Sequence, residues 1–304
     1  MKKLALLGTF FYPWYGNQNR AWRHWSGNKH DPPRTWASNY LPDLRPQNFD
    51  PEHELYDSSS LEVIAWQLEG MRRASIEFAI SSWWGRDDYT DTVFESILFN
   101  AMKKSNNPSL KWALYYEKEG YRKDLTVSEI VSDLTYISSK YGRDPAFLKI
   151  DGKNVVFVYS TTDSNSSYVE RWSQARQLAG DVYVVLKVIK DYKNHEGQVD
   201  AWHQYAPANR YSVHAPHSAF VSPGFWKYDE TPRLARDLGQ FKDAVRQMKS
   251  TKVQFWLVET WNEYHEGTQI EPAKEIAHND SAPSFKMVNE KASYGDDFIE
   301  ALKS

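Results

Sequence analysis

Val155-Val156-Phe157-Val158-Tyr159-Ser160 and Val182-Tyr183-Val184-Val185-Leu186-Lys187-Val188 are two nearly continuous apolar runs, with the helix-periodic stretch Ser167–Leu178 between them. A strand that is apolar at successive positions has both faces buried, which is the condition of a parallel sheet covered by helices. A helix between two such strands returns the chain to the end at which it started, so the three segments read as one strand–helix–strand unit. The same form recurs outward in both directions. Leu4–Tyr12, Ile76–Trp84 (IEFAISSWW) and Leu110–Glu117 (LKWALYYE) precede the unit, and Val253–Glu259 (VQFWLVE) follows it. Two weaker runs fall at Val199–Gln204 and Ser218–Val221. Further helices are expected over Ser58–Ala74, Thr90–Lys104, Thr126–Lys140 and Thr231–Lys249. Thr126-Val127-Ser128-Glu129 has the form of a capping box. Thr231-Pro232 has the form of an N-cap followed by a first-turn proline.

Six clear strands and two weaker ones make eight, the number that closes a (β/α)8 TIM barrel. The expectation is an α/β fold, with residues 1–304 forming a single barrel domain. A doubly wound open sheet is the alternative, but it would carry a glycine-rich ligand motif after the first strand, and none is present. The segment Asn17–Pro51, rich in Pro, Asn, Asp and Trp with little periodicity, reads as a long functional loop.

The composition narrows the chemistry. Thirty-seven basic and 40 acidic residues are well mixed and leave a net charge of −3, so no basic footprint for nucleic acid or for a membrane surface is present. The absence of cysteine excludes disulfides, thiol catalysis and cysteine-based zinc sites. Met1-Lys2-Lys3 and the following Leu4-Ala5-Leu6-Leu7 imitate a secretion signal but are too short for one, so a cytoplasmic protein is expected. No run approaches the length of a membrane span. Aromatic residues make up 15% of the chain, and large amphipathic rings suit sugar faces as well as they suit a core.

Catalytic groups of a barrel sit at the C-terminal ends of its strands. Those ends carry Tyr12-Pro13-Trp14-Tyr15-Gly16, Ser82-Trp83-Trp84-Gly85, Tyr115-Tyr116-Glu117, Tyr159-Ser160 and Trp202-His203-Gln204-Tyr205. The last two carry Ser222-Pro223-Gly224-Phe225-Trp226-Lys227-Tyr228 and Glu259-Thr260-Trp261-Asn262-Glu263-Tyr264-His265-Glu266-Gly267. Aromatic and carboxylate side chains therefore gather at one rim. Trp66, Trp112 and Trp172, away from the rim, read as core. Glu263 and Glu266 are three residues apart. In a helical turn they would share a face with a rise of about 4.5 Å. Two carboxylates held together split their pKa values, giving one acid and one base near neutral pH. Glycosidic cleavage needs that pair. The competing reading is a helix start that favours acidic residues for its dipole.

Trp261-Asn262-Glu263-Tyr264-His265-Glu266-Gly267-Thr268-Gln269-Ile270-Glu271-Pro272-Ala273 resembles the signature of glycoside hydrolase family 99, which holds endo-acting α-mannosidases and α-mannanases. Tyr12-Pro13-Trp14-Tyr15-Gly16 with His24-Trp25 resembles that family's N-terminal motif, and Trp83-Trp84-Gly85, Tyr115-Tyr116-Glu117 and Ser222-Pro223-Gly224 follow in matching order. The resemblance implies a (β/α)8 barrel, no cofactor, and retention of anomeric configuration through attack by the sugar's own 2-hydroxyl. It implies Glu263 as the base on that hydroxyl and Glu266 as the acid and then the base on water. It implies Glu117 as a further carboxylate in the sugar subsites, hydroxyls from Tyr12, Tyr159 and Tyr228, and stacking walls from Trp83, Trp84 and Trp226. Trp14, Tyr15, His203 and Asn262 complete the candidate substrate-binding set, and the expected partner is an oligosaccharide or polysaccharide. The stretch Gly224–Thr231 departs from the family's pattern by an additional lysine, Lys227.

Two other readings remain open in the sequence. A metal-dependent hydrolase would gather His203, His214, His217 and His265 with Glu263 or Asp229. A sugar-transfer enzyme or a carbohydrate-binding barrel would use the same aromatic rim without hydrolysis.

Overall fold

All eight expected strands form, and side-chain alternation along them decides what reaches the site. The computed structural model describes residues 5–17, 23–25, 38–43, 55–122, 124–161, 165–227, 230–279, 282–287 and 294–303. In chain order the barrel strands are Leu6–Phe11, Phe78–Trp83, Lys111–Tyr116, Lys153–Val158, Val182–Lys187, Ala201–His203, Ser218–Val221 and Phe255–Val258. The first strand is flanked by the second and the eighth in parallel register, Gly8 opposite both Phe78 and Leu257. Parallel pairing continues from the second strand to the sixth on one side and from the eighth to the seventh on the other. The barrel is nearly closed. Among the described ladders none joins the sixth strand to the seventh, whose outer edge is taken by Tyr211–His214 in antiparallel pairing.

Each strand sends alternate side chains to the barrel interior and to the helical shell. Phe10, Phe78, Ile80, Ala113, Tyr115, Val155, Phe157, Tyr183, Val185, Ala201, Phe220, Phe255 and Leu257 form the inner core. Phe11, Ala79, Trp83, Trp112, Leu114, Tyr116, Val156, Val158, Val184, Trp202 and Val221 pack outward against the helices. Gly8 makes room for the inner ring of Phe78: a Cβ there would fall 2.3 Å from the ring carbon Cζ.

The shell helices include Leu61–Arg73, Val127–Lys140, Ser166–Ala179 and Leu238–Lys249. Thr126 and Glu129 form the expected capping box. The run expected as one helix over 90–104 is α-helical at Tyr89–Ser96 and Met102–Lys104 with a wider π turn at Ile97–Ala101 between them. The helix expected from Thr231 begins instead at Leu238, with the Asp237 side chain accepting from the Gln240 amide. Residues before it are committed elsewhere, since Leu234 donates its backbone N–H to Phe225 O. The pattern at Thr231-Pro232 therefore does not start a helix. Trp112 and Trp172 lie in the core as expected, while Trp66 is half-buried. A small antiparallel sheet of Tyr40–Pro42, Ala273–Asn279 and Ala282–Met287, which the sequence reading did not anticipate, lies outside the barrel. Most of the long segment read as a functional loop, and Tyr228, lie outside the described residues. Among the described residues no helix is long and apolar enough to cross a membrane.

Candidate active site

Alternation carries past the strand ends. Residues of inward parity at the C-terminal rim are Tyr12, Ser82, Trp84, Glu117, Tyr159, Lys187, Tyr205 and Glu259. A cavity of about 230 Å³ opens there. It is lined by Tyr12, Trp14, Trp84, Tyr115, Glu117, Gly120, Tyr121, Tyr159, Tyr205, Glu263 and Glu266. The aromatic wall is formed by Trp84, which stacks on Tyr121 at 5.3 Å, and by Trp14, whose ring centroid lies 4.5 Å from that of Tyr12.

Glu263 and Glu266 both reach this cavity, but not from a helix. The Glu263 carbonyl accepts from Thr268 N–H at 3.2 Å, and Gly267 N–H goes to Tyr264 O. That pattern replaces the i to i+4 bond with a looped turn. Thr260 and Thr268 close the neck of the loop through a backbone bond of 2.9 Å and a hydroxyl pair at 3.0 Å. Gly267 sits at φ +61° against the Trp226 carbonyl, a conformation and a closeness that favour glycine. The turn is anchored from below by Glu271, whose carboxylate accepts from Trp261 Nε1, Gln67 Nε2, Tyr264 OH and Tyr56 OH. Burial pushes Glu271 up to about 7 against those four donors.

The two carboxylates of the turn are held differently. Glu263 is 4% exposed, and one oxygen accepts the His265 amide at 2.9 Å. Burial first, and Glu266 next, push its pKa well above the usual carboxylate range. Glu266 is more open. It accepts from Tyr205 OH at 2.8 Å and lies 3.8 Å from Lys227 Nζ. Burial raises its pKa, while Tyr205, Lys227 and Lys187 pull it back. Glu117 accepts from Ser82 Oγ at 2.8 Å, and Ser82 in turn accepts from Trp84 Nε1 at 3.1 Å. Burial pushes Glu117 up to about 8. The groups therefore differ in how readily they ionise, as acid–base chemistry requires.

Tyr12, Trp14, Trp84, Glu117 and Tyr159 come together with the carboxylate pair as expected. Other expected contacts are corrected. Tyr15, Trp83, His203 and Asn262 are fully buried behind the cavity. Tyr15 OH donates to the Asn262 carbonyl and accepts the Tyr264 amide. Trp83 has outward parity and donates its indole N–H to Asp91 at 2.6 Å, within the helical shell. His203 lies in the barrel interior with Nε2 3.1 Å from Tyr115 OH, and burial drops its pKa to about 3, so it is neutral. Asn262 pins the Tyr12 backbone, accepting its N–H at 2.7 Å and donating to its carbonyl at 3.0 Å. Trp226 is half-buried and holds the turn, donating its amide to the Glu266 carbonyl and its indole to Glu230 O. It does not line the cavity. Sequence reasoning missed Tyr115, Tyr205, Lys187 and Glu259, although strand parity picks out all four. The histidines of the metal reading are dispersed, His217 on Glu196, His214 beside Ser212 and His265 against the His24 carbonyl. Asp229 lies outside the described residues, and among the described residues no three His, Asp or Glu side chains sit close enough to hold one metal ion.

Comparison with known proteins decides the family. The sequence matches the profile described as glycosyl hydrolase family 99 over residues 4–190. The chain belongs to glycosyl hydrolase family 99. This family 99 chain is therefore a glycoside hydrolase on a TIM barrel, acting on a glycan. It is 22% identical over 325 residues to a glycoprotein endo-alpha-1,2-mannosidase of Xenopus laevis, covering 88% of this chain and 70% of that protein. It is 25% identical over 321 residues to the glycoprotein endo-alpha-1,2-mannosidase of Mus musculus, covering 88% and 68%. A solved family 99 endo-alpha-mannosidase from Bacteroides thetaiotaomicron, in complex with bis-tris-propane, superposes with TM-score 0.73 at 20% identity, covering 98% of this chain and 95% of that one. At that identity the superposition speaks for the fold.

Proposed function

We propose that this family 99 hydrolase is an endo-acting α-mannosidase that retains anomeric configuration, with Glu263 and Glu266 as its catalytic residues. The observation that carries this reading is the convergence of Glu263, Glu266 and Glu117 on one aromatic-walled cavity. The similarity to endo-alpha-1,2-mannosidases supports the choice of sugar and linkage.

In the first step Glu263 takes the proton of the sugar's 2-hydroxyl, and that oxygen attacks the anomeric carbon. The bond to the leaving oxygen breaks as Glu266 delivers its proton there, giving a 1,2-anhydro sugar. Glu266, now ionised, takes a proton from water, and the water oxygen opens the three-membered ring at the anomeric carbon. The 2-oxygen recovers its proton from Glu263. Two inversions at one carbon give net retention. Glu266 is the more open carboxylate, and the phenol and cation beside it favour its ionised form, the form that takes a proton from water in the second step. For the first step the proton must sit on Glu266, so the sugar's 2-hydroxyl, donating to the buried Glu263, would have to bring that carboxyl into its ionised form. Trp14 and Trp84 line the cavity, where their rings offer apolar faces to a sugar.

The test is incubation with an α-1,2-linked manno-oligosaccharide, followed by proton NMR during turnover. The expected first product is the α-anomer of an internal cleavage fragment. Release of the β-anomer first, or of free mannose alone, overturns the reading.

A further inference from the structure

Lys187 closes the fifth barrel strand with inward parity, 8% exposed. Its Nζ donates to the Ser160 carbonyl at 3.0 Å and lies 4.7 Å over the ring of Tyr159, a cavity-lining residue. Its own backbone N–H donates to Tyr168 OH. Burial pulls the Lys187 pKa below the usual lysine range, and the charges of Glu259, Glu266 and Glu117 hold it up. Lys187 pairs with His203 on the sixth strand, whose end carries Tyr205 and Ala206, the donors to Glu266 and Glu259. His203 on the sixth strand is neutral. Glu263 adds a fourth carboxyl to the cluster through Glu117 and Glu266. Three cations reach Glu266, but the side chains of Lys227 and Arg233 are 42% and 53% exposed and are screened by solvent. Glu259 has little else. It is fully buried and accepts one backbone N–H, that of Ala206, at 3.0 and 3.3 Å.

A buried carboxylate is tolerated when a charge or several donors compensate it. An ammonium carbonyl-bonded at one side and seated on an aromatic face has little freedom to swing away. We propose that Lys187 is a positioning residue whose fixed ammonium balances the buried carboxylates Glu117, Glu259 and Glu266 and so sets which of them are ionised when substrate binds. This rests on the roles proposed above for Glu263 and Glu266, but its test does not require turnover. A second role would be packing alone, in which Lys187 only holds Tyr159 upright.

The sign follows from electrostatics. Burial disfavours the charged forms of Glu117, Glu259 and Glu266, and Lys187 favours them. Removing the ammonium makes each carboxyl keep its proton to higher pH. The experiment is a pH titration of protein labelled at glutamate 13Cδ, read by NMR, with resonances assigned by single Glu→Gln changes. In Lys187→Met the Glu117 transition, near 8 in the parent, is expected to move up by about one unit or more. Lys187→Arg keeps the parent titration because it keeps the charge. Lys187→Met with Glu259→Gln removes the ammonium together with the buried carboxyl that supports it most, so it folds even where the single variant leaves that carboxyl unbalanced, and its Glu117 transition is read in the same way. Unmoved carboxyl transitions in Lys187→Met overturn the proposal, as does failure of both the single and the double variant to fold, since the lysine then serves packing. Where the active parent enzyme is assayed, both limbs of its kcat/KM profile move alkaline in Lys187→Met. A parent that cleaves no manno-oligosaccharide but shows the carboxyl shift refutes the function and leaves the charge balance standing.

Discussion

Tyr205 donates its phenolic hydroxyl to Glu266 Oε2 at 2.8 Å, from the end of the sixth strand to the turn that carries Glu263 and Glu266. A hydrogen bond to the ionised form of a carboxyl favours that form. Tyr205→Phe is therefore expected to raise the Glu266 pKa, so that the carboxyl stays protonated to higher pH. The alkaline limb of the kcat/KM profile moves to higher pH. A profile of unchanged shape with a uniformly reduced rate would refute the hydrogen bond's part in acid–base poise.

Glu263→Gln and Glu266→Gln each remove a proton-transfer group without changing side-chain size. Loss of kcat by about 10²–10⁴-fold is expected in both, with folding and substrate binding retained. An activated aryl leaving group needs less protonation, so it should restore part of the rate to Glu266→Gln and none to Glu263→Gln. Rescue of both variants, or of neither, would reverse or cancel the assigned roles.

Adjacent tryptophans at the second strand's end serve different ends. Trp83 is fully buried in the shell and bonded to Asp91, so Trp83→Ala is expected to cost about 3–5 kcal/mol of stability in chemical denaturation. Trp84 lines the cavity, so Trp84→Ala is expected to leave stability nearly intact and to raise KM about fivefold, the equivalent of ~1 kcal/mol of lost stacking. Equal destabilisation by the two changes would reject the division.

Stability should fall as pH rises across the near-neutral range. Burial holds Glu117 up at about 8 and Glu271 up at about 7, so between the unfolded carboxyl range and those values the folded chain binds more protons than the unfolded one. Unfolding free energy therefore decreases with pH there, its full benefit lying below about pH 4.5 and its loss complete by about pH 8. Thermal melts from pH 5 to 8 should show a falling Tm, and Glu117→Gln should flatten that slope. A Tm that rises over the window would contradict the sign.

The barrel was legible because buried parallel strands leave continuous apolar runs, and all eight segments were found within a few residues. The errors lie where tertiary commitments override local pattern. Thr231-Pro232 looks like a helix start, but Leu234 is bonded to Phe225. Glu263 and Glu266 suggested a helical turn, but Thr268 takes the Glu263 carbonyl. In the site, residue type was readable and direction was not: Trp83 and Trp84 look equivalent until strand parity sends one outward. Lys187 and Glu259 were passed over because a charge at the end of an apolar run gives no local sign of what it faces.

The two bonds between the Asn262 side chain and the Tyr12 backbone join points 250 residues apart in the chain. A nascent polypeptide still short of its final barrel strand has neither that clasp nor the turn it belongs to. The acidic pair is thus carried by the same segment that shuts the ring, so the cavity is completed only when the two ends of the chain meet.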